Sequence, residues 1–301
     1  LVLRSGKLVA ERDASKTSQA ELADLMVGRP VAEPKRQPQD PGSVIAELAG
    51  VSVMREGKLL LDGIDMQLRS GEILGLAGVS GNGQNALAGM LAGLYPPSAG
   101  TLVLDGRLAA HLSPRAAVRR GVARIPEDRH SHGLIADMSV AENVIAERYS
   151  EPPFSRRGLL DWDAARRFSE EIIHAYEVRC PSPQSPVRLL SGGNMQKLLL
   201  GRVLSGNPRL IIANQPTRGL DIGAVAYVHG RLLAARAAGA AILLISEDLD
   251  EIMSLADRIA VAYRGRISAP LVRAAADIRT IGLMMSGHGF DSAGSEPGHA
   301  A

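Results

Sequence analysis

The chain contains three short apolar runs, and each predicts a strand that is buried on both faces. They lie within residues 72–77 (EILGLA), 208–217 (PRLIIANQPT) and 241–246 (AILLIS). Runs of this length that end at glycine or polar residues are typical of core strands in a sheet. The stretch that begins at Ile45 is also rich in strand pattern. Helical patterns, one of them clearly amphipathic, are found at residues 86–94, 161–176 and 222–238.

A hairpin followed by a helix is predicted at each end of the chain. The first hairpin is residues 2–8, which turn at Ser5-Gly6, and its helix is residues 18–26. The second hairpin is residues 259–267, which turn at Arg264-Gly265, 259 residues later. These residues alone leave two interpretations open, an internal repeat or two unrelated tails. A repeat would make this chain the second copy of a unit, preceded by the tail of the first copy.

Composition excludes several classes of protein. The 301 residues are 46% hydrophobic and 22% charged, enough to bury a sizeable core. Thirty-four basic and thirty-two acidic residues leave a formal charge of +2, which argues against a nucleic-acid partner. The longest apolar run, near residues 237–246, is half of what a membrane span needs, and the single Cys180 cannot form an internal disulfide.

A glycine-rich turn follows the first apolar run and leads into a helix. Residues 78–85 read GVSGNGQN, which matches the phosphate-loop spacing G-x-x-x-x-G-K-[ST] at both glycines. Backbone N–H groups of such a turn, and the start of the helix after it, bind phosphate oxygens. Gln84 replaces the lysine and Asn85 the Mg²⁺-binding hydroxyl. The residues predict a phosphate cradle without its charged group, with a plain Asn-Gly turn as the alternative.

Two other segments carry polar residues at the end of a strand or the start of a helix. Residues 191–193 (SGG) begin a predicted helix, where free amide groups favour an anion, although an ordinary serine cap has the same pattern. Asn214 and Gln215 end the second apolar run. An aspartate at such a strand end commonly holds Mg²⁺, and a following glutamate would activate water. Both positions are amides here.

Five arginines form a basic run near residues 126–133. They are Arg115, Arg119, Arg120, Arg124 and Arg129. We interpret the run as a solvated helix face, with contact to phosphates as the alternative.

In this order, the motifs resemble the ATP-binding cassette of ABC transporters over residues 45–287. The signature LSGGN at residues 190–194 and the strand-end PTRGLD at 216–221 carry the resemblance. Within that family the chain is similar to the second cassette of fused two-cassette ATPases that serve simple-sugar and nucleoside importers. Supporting features are Asn194 and the stretches IPEDRHSHGL, MSVAENV and QPTRGLDIGA. The implied fold is α/β, a RecA-like P-loop NTPase cassette with an antiparallel β subdomain and an inserted helical subdomain.

The resemblance also implies a division of the chain. Residues 1–29 are expected to be the tail of a preceding cassette, and residues 30–44 a Pro-rich linker. Residues 45–287 form the cassette itself, with the helical subdomain at about 126–205. Residues 288–301 are expected to be a flexible tail.

By resemblance, three sets of residues belong to nucleotide sites. The set expected at this cassette's own site is Gly78, Ser80, Gly81, Asn82, Gly83, Gln84, Asn85 and Glu127. The set that would face the ATP of a partner cassette is Ser191, Gly192, Gly193, Asn194, Gln196 and Asp221. The degenerate positions, where a catalytic group is replaced, are Asn214, Gln215 and Glu247. No catalytic residue and no metal site of its own are expected, so ATP would bind weakly here and Mg²⁺ only at the partner's site.

The implied function is to couple ATP binding and hydrolysis to the import of a simple sugar or nucleoside. The expected partners are a second cassette, N-terminal in the same parent chain, and membrane permease subunits at the cytoplasmic face of the cell membrane. Hydrolysis is expected from the two-cassette assembly and not from this half. A non-transport regulatory or structural pseudo-ATPase is the alternative. A two-cassette translation factor is disfavoured by the short Pro-rich linker and the amides at Asn214 and Gln215.

Overall fold

The computed structural model describes residues 1–4, 6–13, 15–28 and 34–290. Its strands are β1 (Val2–Arg4), β2 (Lys7–Ala10), β3 (Val44–Arg55), β4 (Lys58–Arg69), β5 (Ile73–Ala77), β6 (Ala99–Leu104), β7 (Arg107–Leu108), β8 (Val122–Ile125), β9 (Ser155–Arg156), β10 (Leu159–Leu160), β11 (Leu210–Asn214), β12 (Ala241–Ser246), β13 (Arg258–Tyr263), β14 (Arg266–Ile267) and β15 (Leu271–Val272). Its α-helices are α1 (Gln19–Val27), α2 (Gln84–Leu91), α3 (Pro114–Arg119), α4 (Val140–Ile145), α5 (Trp162–Ala175), α6 (Gly192–Leu204), α7 (Ile222–Ala237), α8 (Leu249–Leu255) and α9 (Ile278–Met285). No α-helix in these ranges combines the length and the apolarity needed to cross a membrane.

Five parallel strands form the centre of the larger sheet. Their order is β13-β5-β12-β11-β8, and β14 and β15 each pair with β13 in the antiparallel sense. Every residue of β5, β11 and β12 is buried. Because both faces of these strands are covered, they appear in the sequence as continuous apolar runs, and the three predicted strands are confirmed.

Neighbouring residues of each central strand point into two different cores. Ile73 and Ile211 face a core shared with α6, α7 and α8, whereas Leu74 and Ile212 face a core shared with α2. The second core is closed by a four-stranded antiparallel sheet in the order β4-β3-β6-β7. Seven of the eight residues of α2 are buried, and five of them belong to this core. The core thus positions α2 beyond the end of β5.

The segment between β8 and β11 contains three helices that pack on one another, α4, α5 and α6. The predicted amphipathic helix at residues 161–176 is α5, with Asp161 as its N-cap. This segment coincides with the predicted helical subdomain.

The helix predicted at residues 86–94 begins and ends earlier than expected. Gly83 adopts a left-handed conformation, with φ of 103°, and leads directly into α2 at Gln84. Gly93, with φ of 74°, follows the helix end. Gln84 and Asn85 therefore belong to the first turn of the helix and not to the loop.

The two chain ends have the same local structure. Each has a hairpin before a helix, β1-β2-α1 at one end and β13-β14 with α9 at the other, where β15 and a 3-10 turn (Arg273–Ala275) lie between β14 and α9. Ser5 of the first turn lies outside the described residues. Ser18 and Asp277 cap the two helices, each accepting from the backbone amide three residues on. Gly28 and Gly287 end them with φ of 84° and 92°. These equivalent caps and turns lie at the offset that the sequence predicts.

The described part of the predicted linker, residues 34–44, is held against the cassette. Arg236 is 2% exposed and donates two hydrogen bonds of 2.8 Å to the Asp257 carboxylate. It also donates to the Gln37 carbonyl, at 3.0 Å, and Arg36 forms an ion pair with Asp257. Residues 29–33 lie outside the described part.

Residues 288–290, the described part of the predicted flexible tail, lie against the fold. Phe290 is buried and packs against Tyr263, with ring centroids 5.9 Å apart. An aromatic ring that covers the end of β13 keeps these last residues on the fold. Residues 291–301 lie outside the described part of the chain.

Candidate functional site

The carboxyl ends of four parallel strands meet at one edge of the central sheet. Ser246 pairs with Ala77, Asn214 with Ile245, and Ala213 with Ile125. The residues that follow these strands therefore lie along that edge: Gly78, Gln215, Glu127 and Glu247. This is the edge at which open α/β sheets bind ligands.

The glycine-rich loop keeps the shape of a phosphate cradle. A Cβ at Gly83 would lie 2.7 Å from the Leu60 carbonyl oxygen, so only glycine fits there. Asn82 closes the loop from both sides: its amide donates to the Val79 carbonyl at 2.9 Å, and its side-chain oxygen accepts from the Arg264 amide at 2.8 Å. Gly81, with φ of 91° and no atom near a built Cβ, is open to solvent.

Gln84 occupies the interior of this loop. Its side chain is 6% exposed and donates from Nε2 to the Val79 carbonyl at 3.0 Å. A Cβ built at Gly78 would lie 2.6 Å from that same nitrogen. The neutral amide thus fills the loop without adding the positive charge that a lysine brings to phosphates.

The metal position is occupied by a chain of amides. Asn214 donates to Asn85 at 2.5 Å, and Asn85 donates to Glu127 at 3.2 Å. Glu127 also pairs with Arg218. Mg²⁺ prefers anionic and carbonyl oxygens, and the one carboxylate here already has a cationic partner. The glycine loop fits phosphates, but the side chains around it do not fit Mg²⁺.

A cleft of about 610 Å³ opens beside this amide chain. Its lining is mainly basic: Arg124, Arg129, Arg218, His130 and His132, against Glu127 and Asp128, with the amides Asn85 and Asn214. The interpretation of the arginine run as one solvated helix face is wrong for Arg124 and Arg129. Arg115 and Arg119 lie on α3, and Arg120 is its C-cap. Arg124 lies in β8 and Arg129 in the turn after it, and both line the cleft.

Two groups in the cleft have nitrogens without a partner. The Nε atoms of Arg124 and Arg129 are buried and make no hydrogen bond among the described residues. Burial lowers the pKa of the Arg124 guanidinium. On the rim, backbone and side-chain hydrogen bonds from Ser131 and His130 hold the pKa of Asp128 near 2, so its carboxylate stays ionised.

The signature residues stand at the start of α6. Ser191 is exposed and makes no side-chain bond to the helix backbone; instead Asn194 donates to its hydroxyl at 2.9 Å. Among the α-helices of the described ranges, seven begin with a Ser or Asp side chain that accepts a backbone amide, and the exceptions are α2 and α6. The helices that follow the glycine-rich loop and the signature serine therefore begin with amide groups that no side chain caps.

Two residues expected to face a partner's nucleotide have bonds inside the cassette. Gln196 is 3% exposed and donates to the Pro216 carbonyl at 2.8 Å, which ties α6 to the loop after β11. That burial corrects the expectation for Gln196. Asp221 is exposed and caps α7 by accepting from the Ala224 amide. No hydrogen bond joins residues 78–85 to residues 191–194 in the described structure.

The degenerate positions differ in exposure. Asn214 is buried, Gln215 is half-buried with φ of 49°, and Glu247 is exposed after β12. Sequence reasoning missed the buried Glu251, which accepts from Thr217 at 2.8 Å and bonds to His229 at 3.0 Å. No local pattern joins these three residues, because they come from three different elements.

The region from residue 61 to residue 218 matches the family model described as ABC transporter. This match covers the glycine-rich loop, the signature and the strand end. The chain belongs to the ABC transporter family.

Curated relatives of this ABC cassette are import ATP-binding proteins. It is 40% identical to the guanosine import ATP-binding protein NupO of Bacillus subtilis, over 99% of this chain and 59% of that protein. It is 37% identical to the nucleoside import ATP-binding protein NupA of Lactococcus lactis, over 95% of this chain and 57% of that protein. A glucose import ATP-binding protein of Haloferax volcanii is 41% identical over 96% of this chain and 53% of its own length. The chain thus spans little more than half the length of these relatives.

Solved structures of ABC cassettes share the fold. A nucleotide-free ATP-binding cassette superposes with a TM-score of 0.65, at 21% identity, over 76% of this chain and 92% of that one. A cassette in its ADP conformation gives a TM-score of 0.64 at 20% identity, over 83% of this chain and 98% of that one. The predicted RecA-like P-loop cassette fold is confirmed.

Proposed function

We propose that this chain is one ATP-binding half of an ABC importer for a nucleoside or simple sugar. In this half the signature at the start of α6 completes the ATP site of a second cassette, while its own loop does not support hydrolysis. The relatives named for import of guanosine, nucleosides and glucose support the importer assignment. One contrast supports the proposal that the two sites have different roles. The signature helix begins exposed and without a side-chain cap, whereas Asn85 and Asn214 bond to each other where the family would bind a metal ion.

The loss of hydrolysis follows from the chemistry of the strand end. Gln215 is an amide that cannot accept a proton from water at neutral pH, and Glu247 would bring negative charge toward a phosphate. Loss of the lysine and of the metal-binding aspartate removes two charge-assisted contacts, together worth about 3–6 kcal/mol if additive. Nucleotide would therefore bind weakly at this site, with Mg²⁺ held only at the partner's site.

The partner cassette is proposed to precede this one in the parent chain. The equivalent hairpins and helix caps at residues 1–28 and 258–287 support an internal repeat, in which the first segment is the tail of the preceding cassette. Arg236 and Asp257 hold residues 34–43 against the second cassette. This contact would fix the place at which the chain passes from the tail into the second cassette. Permease subunits at the cytoplasmic face of the cell membrane are the remaining proposed partners.

The test is the ATPase rate of the two-cassette parent protein with Ser191→Arg. A bulky cation at the start of α6 blocks its amide groups, so the rate should fall about 100-fold, the effect of removing a preorganised anion donor. Ser205→Arg, at the other end of α6, is the matched control and should keep the rate, since a basic residue there favours the helix dipole. A normal rate in Ser191→Arg would refute the proposal.

A further inference from the structure

We propose that the basic cleft beside the glycine-rich loop binds a polyphosphate chain through Arg124, Arg129 and Arg218, without a divalent metal ion. This rests on the proposed function only in that the loop is taken as a phosphate site. The ligand is a nucleoside triphosphate or a free polyphosphate, and the two share the chemistry that the cleft recognises.

The charge of the cleft favours an anion. Three guanidinium groups face two carboxylates, and His130 and His132 also line the opening. The Asp128 carboxylate is already occupied by the backbone amides of His130 and Ser131, at 2.8 and 3.1 Å. The volume of about 610 Å³ falls within the range typical of small-molecule sites. A phosphate chain would therefore enter a cleft with surplus positive charge.

The arginines have unused donors. The Nε atoms of Arg124 and Arg129 are buried and unbonded, and a buried N–H without an acceptor is unfavourable until a ligand or water supplies one. Arg129 is anchored by donating from Nη1 to the Arg218 carbonyl at 2.9 Å. A guanidinium presents donors in a planar fork that matches two phosphate oxygens. The anchored Arg129 is thus preorganised for such an anion.

Arg218 is the most exposed arginine of the set. Its side chain is 63% exposed and forms an ion pair with Glu127. The backbone beside it is held by the Arg129 contact. Exchange of the Glu127 carboxylate for a phosphate group would keep the guanidinium paired. Glu127 therefore competes with the ligand.

The same residues disfavour a metal ion. Asn85 and Asn214 bond to each other, and three arginines repel a divalent cation. A metal ion bound to the phosphates would also neutralise the charge that the arginines attract. Mg²⁺ is therefore expected to weaken binding at this cleft.

The experiment is calorimetric titration of the 301-residue chain with ATP and with inorganic tripolyphosphate, each in EDTA and in excess Mg²⁺. Three variants are compared with the unmodified chain. Arg218→Ala removes the exposed guanidinium, and Glu127→Gln removes the carboxylate that competes with the ligand for it. Arg166→Ala is the matched control, an exposed arginine on α5 that pairs with Asp163.

Both ligands should bind in EDTA, and more weakly with Mg²⁺. Arg218→Ala should weaken binding about tenfold or more, Glu127→Gln should tighten it about threefold to fivefold, and Arg166→Ala should leave it unchanged. The gain in Glu127→Gln cannot arise from misfolding. Tighter binding of ATP than of tripolyphosphate would identify a nucleotide as the ligand, whereas equal binding would identify the polyphosphate chain itself.

Three results would overturn this proposal: no binding of tripolyphosphate at low salt, tighter binding in Mg²⁺, or equal affinity in Arg218→Ala and the unmodified chain. If ATP bound and tripolyphosphate did not, the nucleoside would carry the affinity and the cleft would not. None of these results would contradict the proposed role of the signature, because that role is tested separately by the ATPase rate of Ser191→Arg.

Discussion

The uncapped helix starts at Gly83 and Ser191 offer the same backbone chemistry in different surroundings. Each presents amide groups that no side chain caps. Around Gly83, the Gln84 amide fills the loop, and Asn85 and Asn214 bond across the metal position. Around Ser191, the serine is exposed and its first neighbours are Gly192 and Gly193. On our proposal, backbone geometry alone makes a phosphate site, while metal binding and hydrolysis depend on a few side chains.

The largest expected effect comes from restoring charge at the site that we propose to be degenerate. Gln84→Lys, Asn214→Asp and Gln215→Glu together should tighten ATP binding in Mg²⁺ more than about 100-fold, because two charge-assisted contacts return. Calorimetry with and without Mg²⁺ measures it, and the metal-free titration separates the gain due to Gln84→Lys from the gain that needs the metal ion. If the triple variant gained no Mg²⁺ dependence, the side chains would not explain the difference in function that we propose between the helix starts at Gly83 and Ser191.

The shape of the loop is tested by alanine at its two left-handed glycines. Gly83→Ala should lower the free energy of unfolding by roughly 2–5 kcal/mol, because a strained φ and a clash with the Leu60 carbonyl add together. Gly81→Ala meets no atom within 4 Å and should cost only about 1–2 kcal/mol. Denaturant unfolding of both variants measures the difference. Equal losses would show that the loop is less constrained than its contacts indicate.

The free energy of unfolding should depend on pH through Glu251, which accepts a hydrogen bond from Thr217 in the loop after β11. Burial disfavours its charged form, but hydrogen bonds, those from His229 above all, outweigh burial and lower the pKa of Glu251 below its usual 4.5. A lowered carboxyl pKa stabilises the fold above the usual value, and this stabilisation is lost as pH falls through the folded value. Glu251→Gln should therefore lower the free energy of unfolding by about 1–3 kcal/mol at neutral pH.

The difference between Glu251→Gln and the unmodified chain should shrink in unfolding titrations carried progressively below the usual value of 4.5. Glu170→Gln, on α5 and exposed, is the control. A difference that is constant with pH would show that charge at Glu251 does not support the Thr217 loop.

The smallest expected effect is at the signature. A Cβ at Gly193 would meet only the Ala224 Cβ, at 3.7 Å, and the residue lies in a helix. Gly193→Ala should raise the free energy of unfolding by about 0.5–1 kcal/mol. The ATPase rate of the two-cassette protein should fall, because a methyl group crowds the phosphate approach. A destabilised Gly193→Ala chain would contradict the assignment of this glycine to function and not to folding.

The sequence predicts the elements of this fold better than the contacts between them. β5, β11 and β12 are predictable because strands buried on both faces leave unbroken apolar runs. The turn at Gly265 is predictable from its local chemistry. Boundaries shift where a glycine sets them, as Gly83 does for α2.

The cleft was beyond sequence reasoning because its members come together only at the assembled sheet edge. Arg218 and Glu127 are 91 residues apart, and Asn85 and Asn214 are 129 apart. The five arginines of the basic run are close in sequence but lie in two different parts of the fold. Arg115 donates to Ser150 on the surface, whereas Arg124 lies in β8 and lines the cleft. Which way each side chain points is decided by where α3 ends, and Gly121, with φ of 78° just after the C-cap Arg120, is a local signal of that end.

The central claim is that the two helix starts are functionally unequal, and one ratio tests it most directly. It is the ATPase rate of the two-cassette protein with Gln215→Ala divided by the rate with Ser191→Arg. Gln215 lies at the site that we propose to be silent, so we expect its variant to keep the normal rate and the ratio to be about 100. A ratio near one, with both variants slow, would mean that this cassette's own site takes part in hydrolysis.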